Sequence, residues 1–232
     1  MTKKEYMNFI FSFANYPVDG FMMLQLILPV FAVMIVIPFL NAKSLFAFSF
    51  TRVSLYKNYL VKLIFKYLFV GCSVLFLAHL IFLFIGVAIL PIKEDIGVPR
   101  ELFSEIFGKD FYNQHMVLYF VLEGFLKFFI FPFVYGLFAV SISFLTEKKY
   151  LCLLIPLVYF SVLAIFVSVL ESVFIMDLLF LSPTYTLMSN SRPYINGFVI
   201  LAPLLPPLIF SIAVILRDFK KKSKRGDAFA IT

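Results

Sequence analysis

Side chains able to do chemistry are few in this sequence, and most of them lie inside apolar runs. Its two histidines are His79 and His115, and its two cysteines are Cys72 and Cys152. Neither cysteine has metal-ligand spacing to another ligand type, so both read as small buried hydrophobes with no disulfide framework. There is no HExxH helix and no GxxxxGK[ST] phosphate loop. No catalytic residue, metal ligand or cofactor site is therefore expected. Glu123 and Lys127 are another matter. At i, i+4 they share a helix face, with the acid first, which is the favourable order. In apolar surroundings such a pair neutralises itself facing protein; the alternative is contact with a cargo. His79, in the middle of an uncharged run, reads as a neutral imidazole bonded to a neighbouring helix rather than as a proton relay.

Charge of the other kind gathers in Asn41 to Lys66, NAKSLFAFSFTRVSLYKNYLVKLIFK, between two long apolar runs. It holds Lys43, Arg52, Lys57, Lys62 and Lys66 and no acid. A basic segment so flanked reads as a cytoplasmic loop. Its first half draws as a short helix with Phe46, Phe50 and Val53 on one face. Two roles fit it: a juxtamembrane helix resting on anionic lipid, or a knob gripped by a motor protein.

The elements around these residues are membrane spans. Hydrophobic residues are 62% of the 232 and charged ones 14%, far from the balance of soluble domains. Runs of adequate length fall at about 21–40, 60–90, 116–145, 150–170 and 197–216. Residues 6–16 are too short to cross and read as interfacial. Residues 171–182, with Asp177, suit a re-entrant or interfacial helix on the outer side, and ELFSEIFGKDF suits a short surface helix. Pro29 and Pro38 should bend the first span, and Pro203, Pro206 and Pro207 should make the last irregular. The expected fold is thus all-α and polytopic: a single domain of five transmembrane helices, a cytoplasmic coupling helix and an outer re-entrant or interfacial helix.

Orientation follows from the basic residues. On this topology the cytoplasmic segments carry 13 basic and 3 acidic side chains, the outer ones 6 and 9. The asymmetry accounts for the net charge of +7 without a nucleic-acid partner. Arg217, Lys220, Lys221, Lys222, Lys224 and Arg225 stop transfer and hold the C-terminus in the cytoplasm. Five spans then put the N-terminus outside.

The order of pieces resembles a known family. LILPVFAVMIVIPFLNAKSLFAFSFTRVSLYKNYLVKLIF is similar to the second membrane helix and coupling loop of type-2 ATP-binding-cassette (ABC) permeases, closest to the small exporters of low-GC Gram-positive bacteria. Thr51-Arg52-Val53-Ser54 matches a TRxS element, and Lys57-Asn58-Tyr59-Leu60-Val61-Lys62 a KxYLxxK element. VYGLFAVSISFLTEKKYLCLLIP resembles the family's third-to-fourth helix turn, and LFLSPTYTL with RPYINGF its outer re-entrant region. The likeness runs from about Asn8 to Lys222. It departs in one respect: the family's N-terminal elbow and first membrane helix have no counterpart, so that helix is absent or supplied by another chain.

The resemblance implies a permease subunit of an exporter in the cell membrane, with no ATPase chemistry of its own. Its partners would be an ABC ATPase subunit, a second permease chain and membrane lipid. The cargo would be hydrophobic or peptidic, such as an antimicrobial peptide exported for self-immunity. A coupling helix at 43–57 would sit in a groove of the ATPase, using Lys43, Phe46, Phe50, Thr51, Arg52 and Ser54. The rival reading is a stand-alone membrane binding or immunity protein without transport.

Overall fold

A chain lying in hydrocarbon has no water to satisfy its backbone, so its apolar runs must close their hydrogen bonds within themselves, as helices. The structure, a computed structural model, describes residues 23–46, 53–89, 103, 107–108, 111–174 and 199–229, and among these there is no strand. Helices α1 (Met23–Met34), α2 (Ile37–Phe46) and α3 (Val53–Ile89) come first. One turn at Phe111–Gln114 leads into α4 (Met116–Phe125), which continues through a π-helical turn (Leu126–Ile130) into α5 (Phe131–Ile142). Then come α6 (Lys149–Phe174), a 3-10 stretch (Val199–Leu204) and α7 (Leu205–Phe229).

Among the described residues, four segments are long and apolar enough to cross a membrane: Tyr59–Ile89, Met116–Ile142, Lys149–Val167 and Leu201–Lys221. They overlap the second to fifth expected spans. The first, at about 21–40, is two helices rather than one, and Pro38 is the reason. A proline ring clashes with the carbonyl four residues back, here that of Met34, and α1 ends at Met34. Ile35 N–H still donates to Phe31 O at 3.1 Å, but Val36 N–H turns to Val33 O, only three residues back. Pro38 then sits in the first turn of α2, where a missing donor costs nothing. Pro29, by contrast, lies inside α1 without ending it.

Prolines shape the last span in the same way. Pro203 lies in the 3-10 stretch, and Pro206 and Pro207 fall in the first turn of α7. That helix does not stop at the membrane: it runs on to Phe229, so the basic cluster after Leu216 is helical. Residues 171–174 of the expected re-entrant segment continue α6, and 175–182 lie outside the described residues, as do 6–16. Of ELFSEIFGKDF, Phe103, Phe107, Gly108 and Phe111 are described; Phe107 N–H bonds Phe103 O at 2.9 Å, closing one helical turn.

The Met116–Ile142 span is the axis of the bundle, 61% buried against 22–28% for the other three. Its α5 half touches α1, α3, α6 and α7. Apolar side chains gather around it at three levels. Phe39, Leu60, Leu63 and Leu68 meet Phe138 and Ile142 at one end. Leu28, Ala32 and Leu204 meet Phe131, Tyr135 and Phe160 in the middle. Phe103, Phe111, Tyr112 and Tyr119 form an aromatic cap with Leu83 at the other end.

Close approach of α5 to α1 and α3 depends on Gly136. A Cβ there would lie 2.7 Å from Leu68 Cδ2 and 3.3 Å from the backbone oxygen of Ala32. Gly136→Val should therefore push the helices apart and destabilise the bundle by about 1–3 kcal/mol, the usual cost of overpacking. Thermal unfolding in detergent measures this; an unchanged midpoint would mean that the helices do not pack this tightly here.

Candidate functional site

Two polar groupings interrupt the apolar interior, and the central span carries part of both. The first lies where α4 passes into the π-turn. Glu123 Oε1 and Lys127 Nζ are 2.9 Å apart, with both side chains only 1% exposed. Lys127 belongs to the π-turn, whose cause is again a proline. Pro132 has no N–H and its ring crowds the Phe128 carbonyl, so regular α bonding cannot run through it. Phe131 N–H instead donates to Leu126 O, five residues back. Such a one-turn bulge re-aims the side chains that follow it.

His79, 5% exposed, approaches this grouping from α3. Its Nε2 lies 3.4 Å from the carbonyl oxygen of Phe120 on α4. A carbonyl only accepts, so Nε2 carries the proton in this bond. The ring stacks on Phe128 at 4.8 Å and 15°. Gly124 makes the space, since a Cβ there would fall 2.1 Å from Nε2. His79 is also within electrostatic range of both Glu123 and Lys127. The neighbouring-helix partner expected for this histidine is thus a backbone carbonyl one turn from the ion pair.

The second grouping ties the basic end of the bundle together. Lys43, at the end of α2, donates to the carbonyl oxygen of Ser143 and to its Oγ at 3.2 Å. The ammonium also lies 4.2 Å from the centre of the Phe144 ring. Ser143 follows the last residue of α5, where unpaired carbonyls and the helix dipole favour a cation. Lys149, first residue of α6, donates to Asn41 Oδ1 at 2.9 Å. Asn41 and Lys43 on α2 are therefore latched to the turn between α5 and α6.

Of the expected coupling residues, Lys43 lies in this region. Lys43 to Phe46 end α2, and Val53 to Lys57 begin α3, so among the described residues no separate helix occupies 43–57. Lys43 is engaged within the chain. The backbones of Phe46 and Ser54 lie in α2 and α3; their side chains, like Phe50, Thr51 and Arg52 altogether, lie outside the described residues. Sequence reasoning missed Asn41, Gly124, Ser143 and Lys149. A signal existed for one of them: Gly124 is a lone glycine in a run of Leu and Phe beside the buried acid.

Cys72 and Cys152 are buried free thiols. Among the described residues no three His, Cys, Asp or Glu side chains gather as a metal site. What the arrangement can do is fix helix register. Fold and site together define an all-helical protein whose four apolar helices suit a membrane. No family model, curated protein or solved structure matches this chain.

The ion pair gives a clear expectation. Removing one partner of a buried pair leaves a lone charge and costs about 3–5 kcal/mol. Glu123→Gln and Lys127→Met should each destabilise by that order. The exchanged variant, Glu123→Lys with Lys127→Glu, should be milder than either. Unfolding midpoints of the three variants in detergent decide it: an exchange as damaging as a single loss would mean that each charge meets something other than its partner.

Proposed function

We propose that this chain is the membrane-spanning permease subunit of an ABC exporter, moving a hydrophobic or peptidic cargo with energy from a separate ATPase subunit. The order of sequence elements from the apolar helix through TRVS to the last span supports the reading. The structural observation that supports it is the latch between the end of α2 and the α5–α6 turn. A knob gripped from outside moves a bundle only if its base is fixed to more than its own two helices. Lys43 on Ser143 and Lys149 on Asn41 give that attachment, to the α5–α6 turn. From there α5 touches α1, α3, α6 and α7. ATP-driven movement of the partner would rock these helices together, since a ligand shifts only states that it contacts differently. A second permease chain would complete the cargo path.

The basic end of the bundle then faces the cytoplasm. Lys62, Lys66, Lys148, Lys149, Arg217, Lys220 and Lys221 are exposed there, with Glu147, Asp218 and Asp227 the acids among the described residues of that end. The second reading, a stand-alone membrane binding or immunity protein, needs neither the ATPase nor the latch. A detergent pull-down separates the two, because a co-purifying ATPase belongs only to the first.

Two tests follow. Arg52→Glu and Phe50→Ala should leave insertion intact yet weaken ATPase co-purification and transport more than tenfold, as loss of a buried phenylalanine worth about 2 kcal/mol implies. Normal coupling in both variants would refute the knob. For orientation, a Thr2→Cys variant in a Cys72→Ala, Cys152→Ala background should react with an impermeant thiol reagent on intact cells. Labelling only after the membrane is opened would reverse the topology.

A further inference from the structure

The seam between α3 and the α4–α5 span is lined with aromatic rings and ends in lysines. Phe65 faces Phe133 at 6.0 Å, Phe69 meets Phe129 edge-on at 5.5 Å, and Phe76 meets Phe125 edge-on at 5.5 Å. Phe125, Phe129 and Phe133 also stack along their own helix, 5.0 and 6.3 Å apart. On the α3 side the seam stays open, with Phe65 56% exposed and Phe69 55%. From Phe76 to Phe65 the ladder climbs about 16 Å along α3, a length that suits an extended acyl chain.

At its basic end, Lys62 stands one turn beyond Phe65 and Lys66 beside Phe65, one turn apart along α3 and both exposed. Apolar ladder and cation pair are thus continuous on one helix. An occupant that satisfies both must carry a long hydrocarbon and an anionic head. A soluble acidic protein offers no hydrocarbon to the membrane-length part of α3. A second copy of this chain would bring its own basic rim (Lys148, Lys149, Arg217, Lys220, Lys221) against two more lysines.

We propose that this seam binds an anionic phospholipid, its acyl chain lying along Phe65, Phe69, Phe129 and Phe133 and its phosphate held by Lys62 and Lys66. The site requires only that the bundle sit in a bilayer, and so stands apart from the exporter reading. Each lysine near anionic lipid contributes about a fivefold preference, so the pair should favour an anionic over a zwitterionic headgroup roughly thirty-fold.

The test is native mass spectrometry of the full chain released from detergent containing equal phosphatidylglycerol and phosphatidylcholine. The wild type should retain phosphatidylglycerol preferentially. Lys62→Gln with Lys66→Gln should abolish the preference, whereas Lys62→Arg with Lys66→Arg should keep it. Phe69→Ala should lower retention of both lipids while leaving the preference intact. Circular dichroism establishes that each variant is folded. Equal retention of the two lipids by the wild type would overturn the site. So would an equal loss in Lys220→Gln with Lys221→Gln, which would make the preference a property of the whole rim. A Phe69→Cys variant that cross-links chain to chain, in the background lacking Cys72 and Cys152, would give the seam to a second copy instead.

Discussion

A backbone in hydrocarbon must satisfy its donors and acceptors from within, and this chain places prolines where that rule is hardest to keep. At each of three such places the helix changes its bonding pattern, and two of the changes position polar side chains. Pro38 ends α1 at Met34 and starts a new helix, which brings Asn41 and Lys43 to the α5–α6 turn. Pro132 forces the i to i−5 turn that contains Lys127. Pro203 lies in a 3-10 stretch before α7, and four residues beyond Pro207 the hydroxyl of Ser211 donates to its carbonyl at 2.5 Å. Buried serines use the same device elsewhere: Ser141 donates to Phe138 O at 2.7 Å and Ser143 to Val140 O at 2.6 Å. The irregular backbone is thus inseparable from the polar sites.

The buried ion pair is poorly explained as a source of stability. Removing two charges from water costs several kcal/mol per ion, and their attraction repays this only with good geometry, so an apolar pair of similar volume would often be as stable. What it does provide is an arrangement that tolerates few alternatives. Glu123 and Lys127 straddle the junction between α4 and the π-turn, and a slip of one residue there would point one of them at lipid. His79 adds a contact from α3, held by the Phe120 carbonyl and the gap above Gly124. Across helices in the middle of the bundle, His79 supplies the polar contact, and its ring also stacks on Phe128; the ion pair fixes the turn of α4 that His79 meets.

Much of the fold was legible in the sequence because apolar length and charge punctuation directly reflect the bilayer. The runs at 60–90, 116–145, 150–170 and 197–216 each correspond to a helix of crossing length. The first run did not, although Pro38 was visible, because sequence does not tell whether a proline bends a helix or ends it. Pro29 and Pro38 lie nine residues apart in one apolar run and have opposite outcomes. The candidate site was legible only where its residues are neighbours in sequence. Glu123 and Lys127 announce themselves by spacing. Lys43 with Ser143, and Lys149 with Asn41, are about a hundred residues apart, and no local pattern marks either pair. Lys43 looked like a surface cation because its sequence neighbours are loop-like, whereas its spatial neighbour is the end of α5.

These two polar groupings are joined by a single element. From Lys127 the chain leaves the π-turn and runs through α5 to Ser143, a rigid helix of about 18 Å from Phe131 to Ile142. A displacement at the latch cannot be absorbed within a well-bonded α-helix, so it must appear as a tilt or rotation at the next weak point. The π-turn is that point, because its bonds are longer-range and Pro132 has removed one donor. Glu123 sits on the far side of it and Lys127 within it, while His79 reaches from α3 to the Phe120 carbonyl of α4. Movement of the basic end relative to α4 would therefore pivot at Leu126–Ile130, a turn that the Glu123–Lys127 pair ties back to α4.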